Sequence, residues 1–430
     1  MFCDQCEQTF QGTGCVDTGL CGKSADIESL QKILLYGLKG LAAYKHHARR
    51  LGKTDPEVEA FIEDALFATI TNVNFDMESL LGLVLECGRM NLRTMEILDA
   101  GHLEVFGQPV PTEVTEGIQE GPGILVTGHD LVDLKDLLEQ TAGTGINIYT
   151  HGEMLPAHSY PELKKYPHLV GHFGGAWQRQ RLEFEQFGGP ILATTNCVLI
   201  PNAASSYLDR LYTTRVTAVP GATCIKTNDF SEVIARAKAV GPLTPTGLKK
   251  STIGFHYNVI LSLADKVVDA VKTGQIRHFF LVGGCDGAEG ERNYFTDFAA
   301  NAPADSLVLT LGCGKYRIRN HDYGTVAGIP RLLDMGQCND SYGAIQVAVA
   351  LTKAFDCGVN DLPLTLVVSW FEQKAVAVLL TLLYLGVKGI RLGPRLPAFV
   401  TPNVLAVLQE KFDLRATGTD AKADMAAVLV

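Results

Sequence analysis

Six apolar runs in this chain each finish on a cysteine, a histidine or a glutamate, and that recurrence limits the fold more than any other feature. The plainest is Phe279 to Gly287, which reads Phe-Phe-Leu-Val-Gly-Gly-Cys-Asp-Gly. Its apolar start and short length suit a strand buried on both faces, as in a parallel sheet. Two glycines follow, and Cys285 stands where the strand should run out. Ligands of open α/β sheets bind beyond the carboxyl ends of strands, so a thiol there is placed to hold something. In the same way Ile191-Leu-Ala-Thr-Thr-Asn leads to Cys197, and Leu307-Val-Leu-Thr-Leu-Gly leads to Cys313. Ile124-Leu-Val-Thr-Gly leads to His129, Ile146-Asn-Ile-Tyr-Thr-His-Gly to Glu153, and Leu364-Thr-Leu-Val-Val-Ser-Trp-Phe to Glu372. One such case is chance; six point to a shared inorganic site.

Between these runs strand and helix patterns alternate, which signals parallel sheets with covering helices. The acidic, Pro/Gly-rich segment from Pro109 to Gly123 reads as a linker ahead of them, and Gly241-Pro-Leu-Thr-Pro-Thr-Gly247 divides them into two α/β domains. Three helices are expected before the linker. The first spans about Ile27 to Leu51, with Leu30, Leu34, Leu38 and Leu41 on one face. Asp55 and Pro56 form the start signal of the second, which buries Val58, Phe61, Ile62, Ala65 and Leu66. The third runs from about Asp76 to Leu98 through Leu80, Leu81, Val84 and Leu85, and stops before Gly101. Short connections make these antiparallel neighbours in a three-helix bundle. His46 and His47 read as a solvated helix end and Cys87 as a small core residue.

The bundle carries a loop of its own chemistry, Cys3-x2-Cys6-x8-Cys15-x5-Cys21, with glycines between the thiols. Four cysteines within 19 residues can wrap one group, either a [4Fe–4S] or [2Fe–2S] cluster or a tetrahedral zinc. The second pair is wider than the usual zinc spacing. Eleven cysteines without a visible secretory signal favour metal or catalysis over disulfides. The longest apolar run, Ala375 to Val387, is 13 residues, short of the ~18 wanted for a membrane span. A net charge of −10 without a Lys/Arg run speaks against a nucleic-acid surface. A soluble, cytoplasmic protein is expected.

The α/β half supplies His129, Glu153, Cys197, Cys285, Cys313, Cys338 and Glu372. Cys338, in Gly336-Gln-Cys-Asn-Asp-Ser-Tyr, precedes an apolar helical run from Ile345, where the helix dipole favours thiolate. Four thiols with two carboxylates and an imidazole mix soft and hard ligands. Zinc does not need seven, and an all-thiolate cubane does not need oxygen donors. A cluster bridged by both sulfide and oxygen uses both kinds. Lys374 stands where it can donate to a bridging oxygen or deliver a proton. Taken singly, each residue has a plain reading: Cys285 as core, Glu153 in an ion pair. His168-x3-His172 lacks the glutamate of a zincin motif and reads as structural. Lys315 in Gly312-Cys-Gly-Lys-Tyr only faintly resembles a phosphate-loop tail, so no nucleotide site is indicated.

Together these motifs resemble the hybrid cluster protein family, also called prismane proteins or hydroxylamine reductases. The match runs from the N-terminal cysteine loop through Gly128-His-Asp-Leu, Thr150-His-Gly-Glu-Met-Leu-Pro-Ala-His158 and Thr194-Thr-Asn-Cys197. It continues through Gly284-Cys-Asp-Gly, Gly312-Cys-Gly-Lys-Tyr and Gly336-Gln-Cys-Asn-Asp-Ser-Tyr to Phe371-Glu-Gln-Lys-Ala375. The resemblance implies a [4Fe–4S] cluster on Cys3, Cys6, Cys15 and Cys21. It implies a hybrid [4Fe–2S–2O] cluster on His129, Glu153, Cys197, Cys285, Cys313, Cys338 and Glu372, with Cys285 carrying a persulfide in some states. Cys285, Glu372 and Lys374 would carry the catalytic roles.

Typical members have two three-helix bundles, and only one fits between Cys21 and His129, so the chain resembles a shortened class. The expected architecture is α plus α/β. Residues 1–108 form the cysteine loop and helical bundle, 109–246 a first Rossmann-like domain and 247–430 a second, both with mainly parallel sheets. The implied activity is reduction of hydroxylamine to ammonia, of nitric oxide, or of both, fed by an electron-donor protein, with no nucleic acid or membrane partner. Self-association is compatible with it. Rival readings are transfer of nitrosyl groups to partner cysteines, and electron carriage under nitrosative stress without catalysis.

Overall fold

The computed structural model describes residues 1–429. It opens with three helices, α1 (Ala25–Arg50), α2 (Pro56–Ala68) and α3 (Met77–Phe106). Each starts on a side chain that satisfies free N–H groups of the first turn. Ser24 accepts from Ile27, Asp55 from Glu57 and Val58, and Asp76 from Ser79. α3 runs past Gly101, where the pattern suggested a stop, and ends at Gly107, whose φ is +80°. Gly101 is a packing residue instead, since a Cβ there would lie 3.1 Å from Leu51. Leu66 is 43% exposed rather than buried, because α2 turns only Val58, Phe61, Ala65 and Ala68 inward.

A fourth helix, Gln373–Tyr384, comes from far along the chain and packs against both α1 and α3. Its run Ala-Val-Ala-Val-Leu-Leu is apolar on every side, as burial between partners requires. Glycines permit the approach. A Cβ on Gly40 of α1 would lie 2.8 Å from Ala377 Cβ and closer still to the Gln373 carbonyl, and one on Gly88 of α3 would strike the Leu380 carbonyl. Thr381 Oγ1 donates to Gly88 O at 2.9 Å and accepts from Asn91 Nδ2 at 2.9 Å, so the hydroxyl at this seam is paired, while Asn91 Oδ1 has no partner.

The first sheet holds eight strands: β1 (Thr112–Glu116), β2 (Gly123–Thr127), β3 (Asn147–Thr150), β4 (Leu169–His172), β5 (Ile191–Ala193), β6 (Leu211–Thr214), β7 (Thr223–Ile225) and β8 (Lys249–Ile253). Their order is β7-β6-β5-β2-β3-β4-β1-β8, parallel throughout except for β8 against β1. β1 lies in the segment that composition marked as a linker. Its β-branched Thr112, Val114 and Thr115, with Val114 turned inward, suit a strand despite the flanking prolines. β8 follows the break at 241–247 and still completes the first sheet.

The second sheet comprises β9 (His278–Gly284), β10 (Ser306–Thr310), β13 (Leu332–Asp334), β14 (Leu364–Ser369), β15 (Arg391–Gly393) and β16 (Arg415–Ala416). A small ribbon, β11 (Thr325–Val326) and β12 (Ile329–Pro330), precedes β13. The order is β13-β10-β9-β14-β15-β16, all parallel. All six apolar runs are strands, and topology collects them in two trios, β5-β2-β3 and β10-β9-β14, away from the sheet edges. The carboxyl ends of the trios meet. Trp177 Nε1 donates to Asp286 O at 2.9 Å, Gln178 Nε2 to Asp286 Oδ2 at 2.7 Å, and the Tyr316 hydroxyl to Gly152 O at 2.7 Å.

Candidate metal centre

Each strand of the two trios releases its ligand-type side chain within a few residues of its last hydrogen bond. His129 follows β2, Glu153 opens the 3-10 turn Gly152–Ser159 after β3, and Cys197 lies four residues past β5. From the other sheet, Cys285 follows β9 directly, Cys313 lies three residues past β10, and Glu372 three past β14. Cys338 begins the 3-10 turn Cys338–Asp340, which leads into the helix Ser341–Phe355. Six of the seven sit in surroundings that strongly oppose ionisation or charge. One ligand atom each of His129, Glu153 and Cys338 lies within 4.8 Å of the others, the tightest such group among the described residues.

The histidine is prepared for ligation. Its Nδ1–H donates to the Asn196 carbonyl at 3.1 Å, and because a carbonyl only accepts, this fixes the tautomer and leaves the Nε2 lone pair as an acceptor, met by the Lys374 ammonium at 2.9 Å. Burial, helped by Lys374, holds the imidazole well below its ordinary pKa and therefore neutral. Glu153 accepts from Cys338 N at 2.8 Å through Oε2, while its buried Oε1 has no partner. Burial pushes the Glu153 carboxyl up, opposed by Lys315 and Lys374. It also pushes the Cys197 and Cys338 thiols up to about 12, aided at Cys197 by Glu372, and raises Cys285 and Cys313 well above the usual thiol range. The helix dipole expected to favour a Cys338 thiolate is thus outweighed by loss of solvent and by nearby anions.

An orphaned carboxylate oxygen, an imidazole nitrogen that meets only the Lys374 ammonium and four desolvated thiols form a donor set that a multiply charged metal group would satisfy. Lys374 lies at its rim, 1% exposed, with Nζ 2.9 Å from His129 Nε2, 3.3 Å from Asn196 Oδ1 and 3.9 Å from Glu372 Oε1. Burial opposes its charge, but Cys338, Glu372, Cys197 and Glu153 together hold the ammonium above its ordinary pKa. Glu372 caps the helix Gln373–Tyr384 by accepting from Lys374 N at 3.1 Å, so ligand-type carboxylate and lysine are locked into one turn.

Three residues outside the expected set also converge here. Gln337 Nε2 donates to Glu153 O at 2.7 Å and to His129 O at 3.2 Å, tying both sheets together. Asn196 Nδ2 donates to Cys197 Sγ at 3.4 Å. Both immediately precede a cysteine of the set, which is the signal that could have singled them out. His47, expected in solvent, is buried with its ring 6.3 Å from that of His129, and burial pushes it down to about 3. A polar residue on the leucine-rich α1 gave no such warning.

The N-terminal cysteines lie apart from this centre. Cys3 and Cys15 pair as an antiparallel bridge, N–H to carbonyl at 3.0 and 2.8 Å, and both are buried; Cys6 is half-buried and Cys21 exposed. The buried Lys23 ammonium sits 3.7 Å from Cys3 Sγ and is held by Glu28 at 2.8 Å and Gln31 at 2.7 Å, a fixed positive charge beside the loop. His168 and His172 bond to Thr141 and Thr150, and Lys315 is taken by Asp334 at 2.6 Å, which accords with structural roles.

Comparison with known proteins agrees with the motifs. The profile of the Prismane/CO dehydrogenase family matches residues 1–82 and 76–426. A hydroxylamine reductase of Moorella thermoacetica is 61% identical over 419 residues, covering 97% of this chain and 98% of the relative. One from Rhodospirillum rubrum is 57% identical over 95% of this chain, but only 74% of that longer protein is covered. Among solved structures, carbon monoxide dehydrogenase IV from Carboxydothermus hydrogenoformans superposes with a TM-score of 0.80 at 16% identity, over 100% of this chain and 91% of the other. With the profile spanning nearly every residue and the Moorella relative matching over 98% of its length, the chain belongs to the Prismane/CO dehydrogenase family.

Proposed function

We propose that this protein is an iron–sulfur oxidoreductase that reduces hydroxylamine to ammonia and water, taking up two electrons and two protons per N–O bond broken. The observation that carries the reading is the meeting of two strand trios, at which His129, Glu153 and Cys338 bring ligand atoms within 4.8 Å of one another; Cys197, Cys285, Cys313 and Glu372 follow the ends of strands in the same trios. The relatives named hydroxylamine reductase support the choice of substrate. On this reading those seven residues hold the hybrid [4Fe–2S–2O] cluster, and Cys3, Cys6, Cys15 and Cys21 hold a [4Fe–4S] cluster loaded by an electron-donor protein. When bound, these groups supply the electrons and a Lewis-acidic redox site. The chain supplies the rest. Lys374 keeps a proton on Nζ at the rim of the centre, where a cleaved N–O bond needs one. Glu372 and Asn196 hold that ammonium in place. The Gln337 amide fixes the backbone of His129 and Glu153, and apolar walls exclude water. Residues 1–108 serve electron entry, and 109–246 and 247–430 close on the centre.

A cavity of about 330 Å³ favours nitric oxide as a second substrate. It reaches from Cys285 and Cys338 between the second sheet and its helices, walled by residues such as Leu309, Ile345, Ala348 and Val378. A small, weakly hydrogen-bonding molecule partitions into such a space more readily than hydroxylamine, which must give up its hydrogen bonds to water. Anaerobically prepared protein should contain roughly eight iron atoms per chain, two four-iron groups, and turn over hydroxylamine with one ammonia formed per substrate. Zinc in place of iron, or full iron loading without turnover of either nitrogen compound under the same reduced donor, would overturn the proposal.

A further inference from the structure

We infer that Tyr44, on α1 of the helical bundle, is a further residue of the active centre and donates a hydrogen bond to the oxygen of the substrate's N–O unit. The inference rests on the hydroxylamine-reducing reading above and deepens it. Neither sheet supplies this side chain, and nothing in the strand-end pattern announces it.

The placement follows from packing. Gly40, Tyr44 and His47 occupy one face of α1, at the i, i+4, i+7 spacing that stacks side chains along a helix. Gly40 gives no side chain to its contact with Gln373 and Ala377, so α1 presses against the first turn of the helix that begins at Glu372. One turn along that face, Tyr44 is carried into the space between the bundle and the two sheets. It is 1% exposed. Its ring lies under the Lys374 ammonium, 5.9 Å from Nζ to the ring centroid. Its hydroxyl lies beside the Cys338 thiol and within the electrostatic reach of Glu372 and Cys285.

That hydroxyl has no hydrogen-bond partner. It points toward the Cys338 sulfur without the geometry of a hydrogen bond, and no carbonyl, carboxylate or amide meets it. A buried hydroxyl left unpaired destabilises the fold, because it has lost water and gained no partner. Phenylalanine would fill the same space without that cost, since the rest of Tyr44 packs in the apolar core of the bundle with Leu41 and Leu38. A phenol retained at such a place serves an acceptor that the polypeptide does not supply. Of the groups around it, the ammonium of Lys374 donates only, and the Cys338 sulfur, toward which the hydroxyl points, is a weak acceptor outside hydrogen-bond geometry. The strong acceptor is the bound substrate, whose oxygen gains negative charge as the N–O bond breaks. A neutral donor fixed beside that oxygen strengthens its hold as charge develops, the arrangement that favours a transition state over a ground state. No proton leaves Tyr44 in this step; the two protons of the reaction come from elsewhere.

Tyr44→Phe removes only the hydroxyl. In the holoprotein, iron content should match wild type while kcat for hydroxylamine falls roughly 100-fold to 1,000-fold, with a smaller change in KM, as expected for one donor to a developing oxyanion. In the metal-free full-length chain the same variant should unfold at a higher temperature than wild type, because an unpaired buried hydroxyl has been deleted. Unchanged kcat in a variant with full iron, or a lower unfolding temperature of the metal-free variant, would overturn the inference. Loss of iron from Tyr44→Phe would overturn it too, by making the residue a scaffold of the centre. If wild type itself does not turn over hydroxylamine, the proposed function fails, and that result is read from wild type alone.

Discussion

Gly40→Ala tests whether the helical bundle sets the geometry of the centre. The added methyl would sit 2.8 Å from Ala377 Cβ and closer to the Gln373 carbonyl, whereas carbon atoms pack at roughly 3.5–4.0 Å. α1 and the helix Gln373–Tyr384 must therefore part by about 0.8 Å at this point. Backbone and a short Ala side chain line the contact, so no flexible end can swing aside. Overpacking of this kind costs about 1–3 kcal/mol. The functional consequence should be larger than that figure suggests, because Lys374 is the residue after Gln373 and Tyr44 is one turn from Gly40. A displacement near 1 Å at a reacting site costs on the order of 100-fold in rate. Gly82→Ala is the control: it lies on α3, exposed, with open space where its methyl would go, and should gain up to about 1 kcal/mol. Urea unfolding, amide exchange across α1 and Gln373–Tyr384, and kcat on iron-loaded protein would be read for both. If Gly40→Ala behaved like Gly82→Ala in all three, the bundle would not control the centre.

The other expectations are shorter. Lys374→Ala should keep iron close to wild type while slowing turnover at least 10-fold, since it removes a proton-holding group and no ligand, whereas Glu372→Gln should lower iron and activity together; unchanged turnover in Lys374→Ala would take the lysine out of the mechanism. Cys3→Ser should abolish the spectroscopic signal of the N-terminal group and leave the buried centre assembled, because the two ligand sets share no residue and lie on different elements; loss of both signals from folded protein would contradict their independence. His102 and His158 are each pushed down to about 4 by burial, so between pH 6.5 and 4 the unfolded chain takes up protons that the folded one refuses. Stability of the metal-free protein should be fully present above pH 6.5 and fall through that window by up to about 1.4 kcal/mol per pH unit per histidine. His102→Gln should flatten the slope, and an equal slope in the variant would assign the acid sensitivity to other groups.

The parts of this molecule that were legible in its sequence share one property: the signal and the structure are both local. A strand that ends at Gly284 and a thiol at residue 285 are neighbours in the chain, so Cys285 could be placed at a strand end from composition alone. The same holds for His129, Glu153, Cys197, Cys313 and Glu372, and for Asp55 and Pro56 at the start of α2. What was not legible depends on distant partners. Thr112–Glu116 looked like linker because its pairing residues, Lys249–Ile253, come more than a hundred positions later. Gly101 resembled a helix stop, yet its reason is the side chain of Leu51 across the bundle. His47 and Tyr44 sat in a leucine-rich helix whose polar members normally face water, and only the arrival of Gln373–Tyr384 and the two sheets turned their face into a buried wall.

The division of the donor set between two sheets has its own physical consequence. His129, Glu153 and Cys197 come from the first trio; Cys285, Cys313, Cys338 and Glu372 come from the second side. Neither half alone offers both an imidazole and more than one carboxylate with enough thiols to neutralise a multiply charged group. Without that group the arrangement is held by few cross-links at the seam, among them Gln337 to the two carbonyls, Trp177 and Gln178 to Asp286, and Tyr316 to Gly152. Four desolvated thiols and an unpaired carboxylate oxygen then press against one another at a cost the seam must bear. On the proposed function, binding that satisfied all of them at once would also tie the two α/β units together, and its free energy would appear as stability of the folded chain. The amides along the carboxyl ends of β2, β3, β9 and β14 should accordingly be the ones whose hydrogen exchange slows most when iron is restored, ahead of those in α2, which packs on α1 and α3.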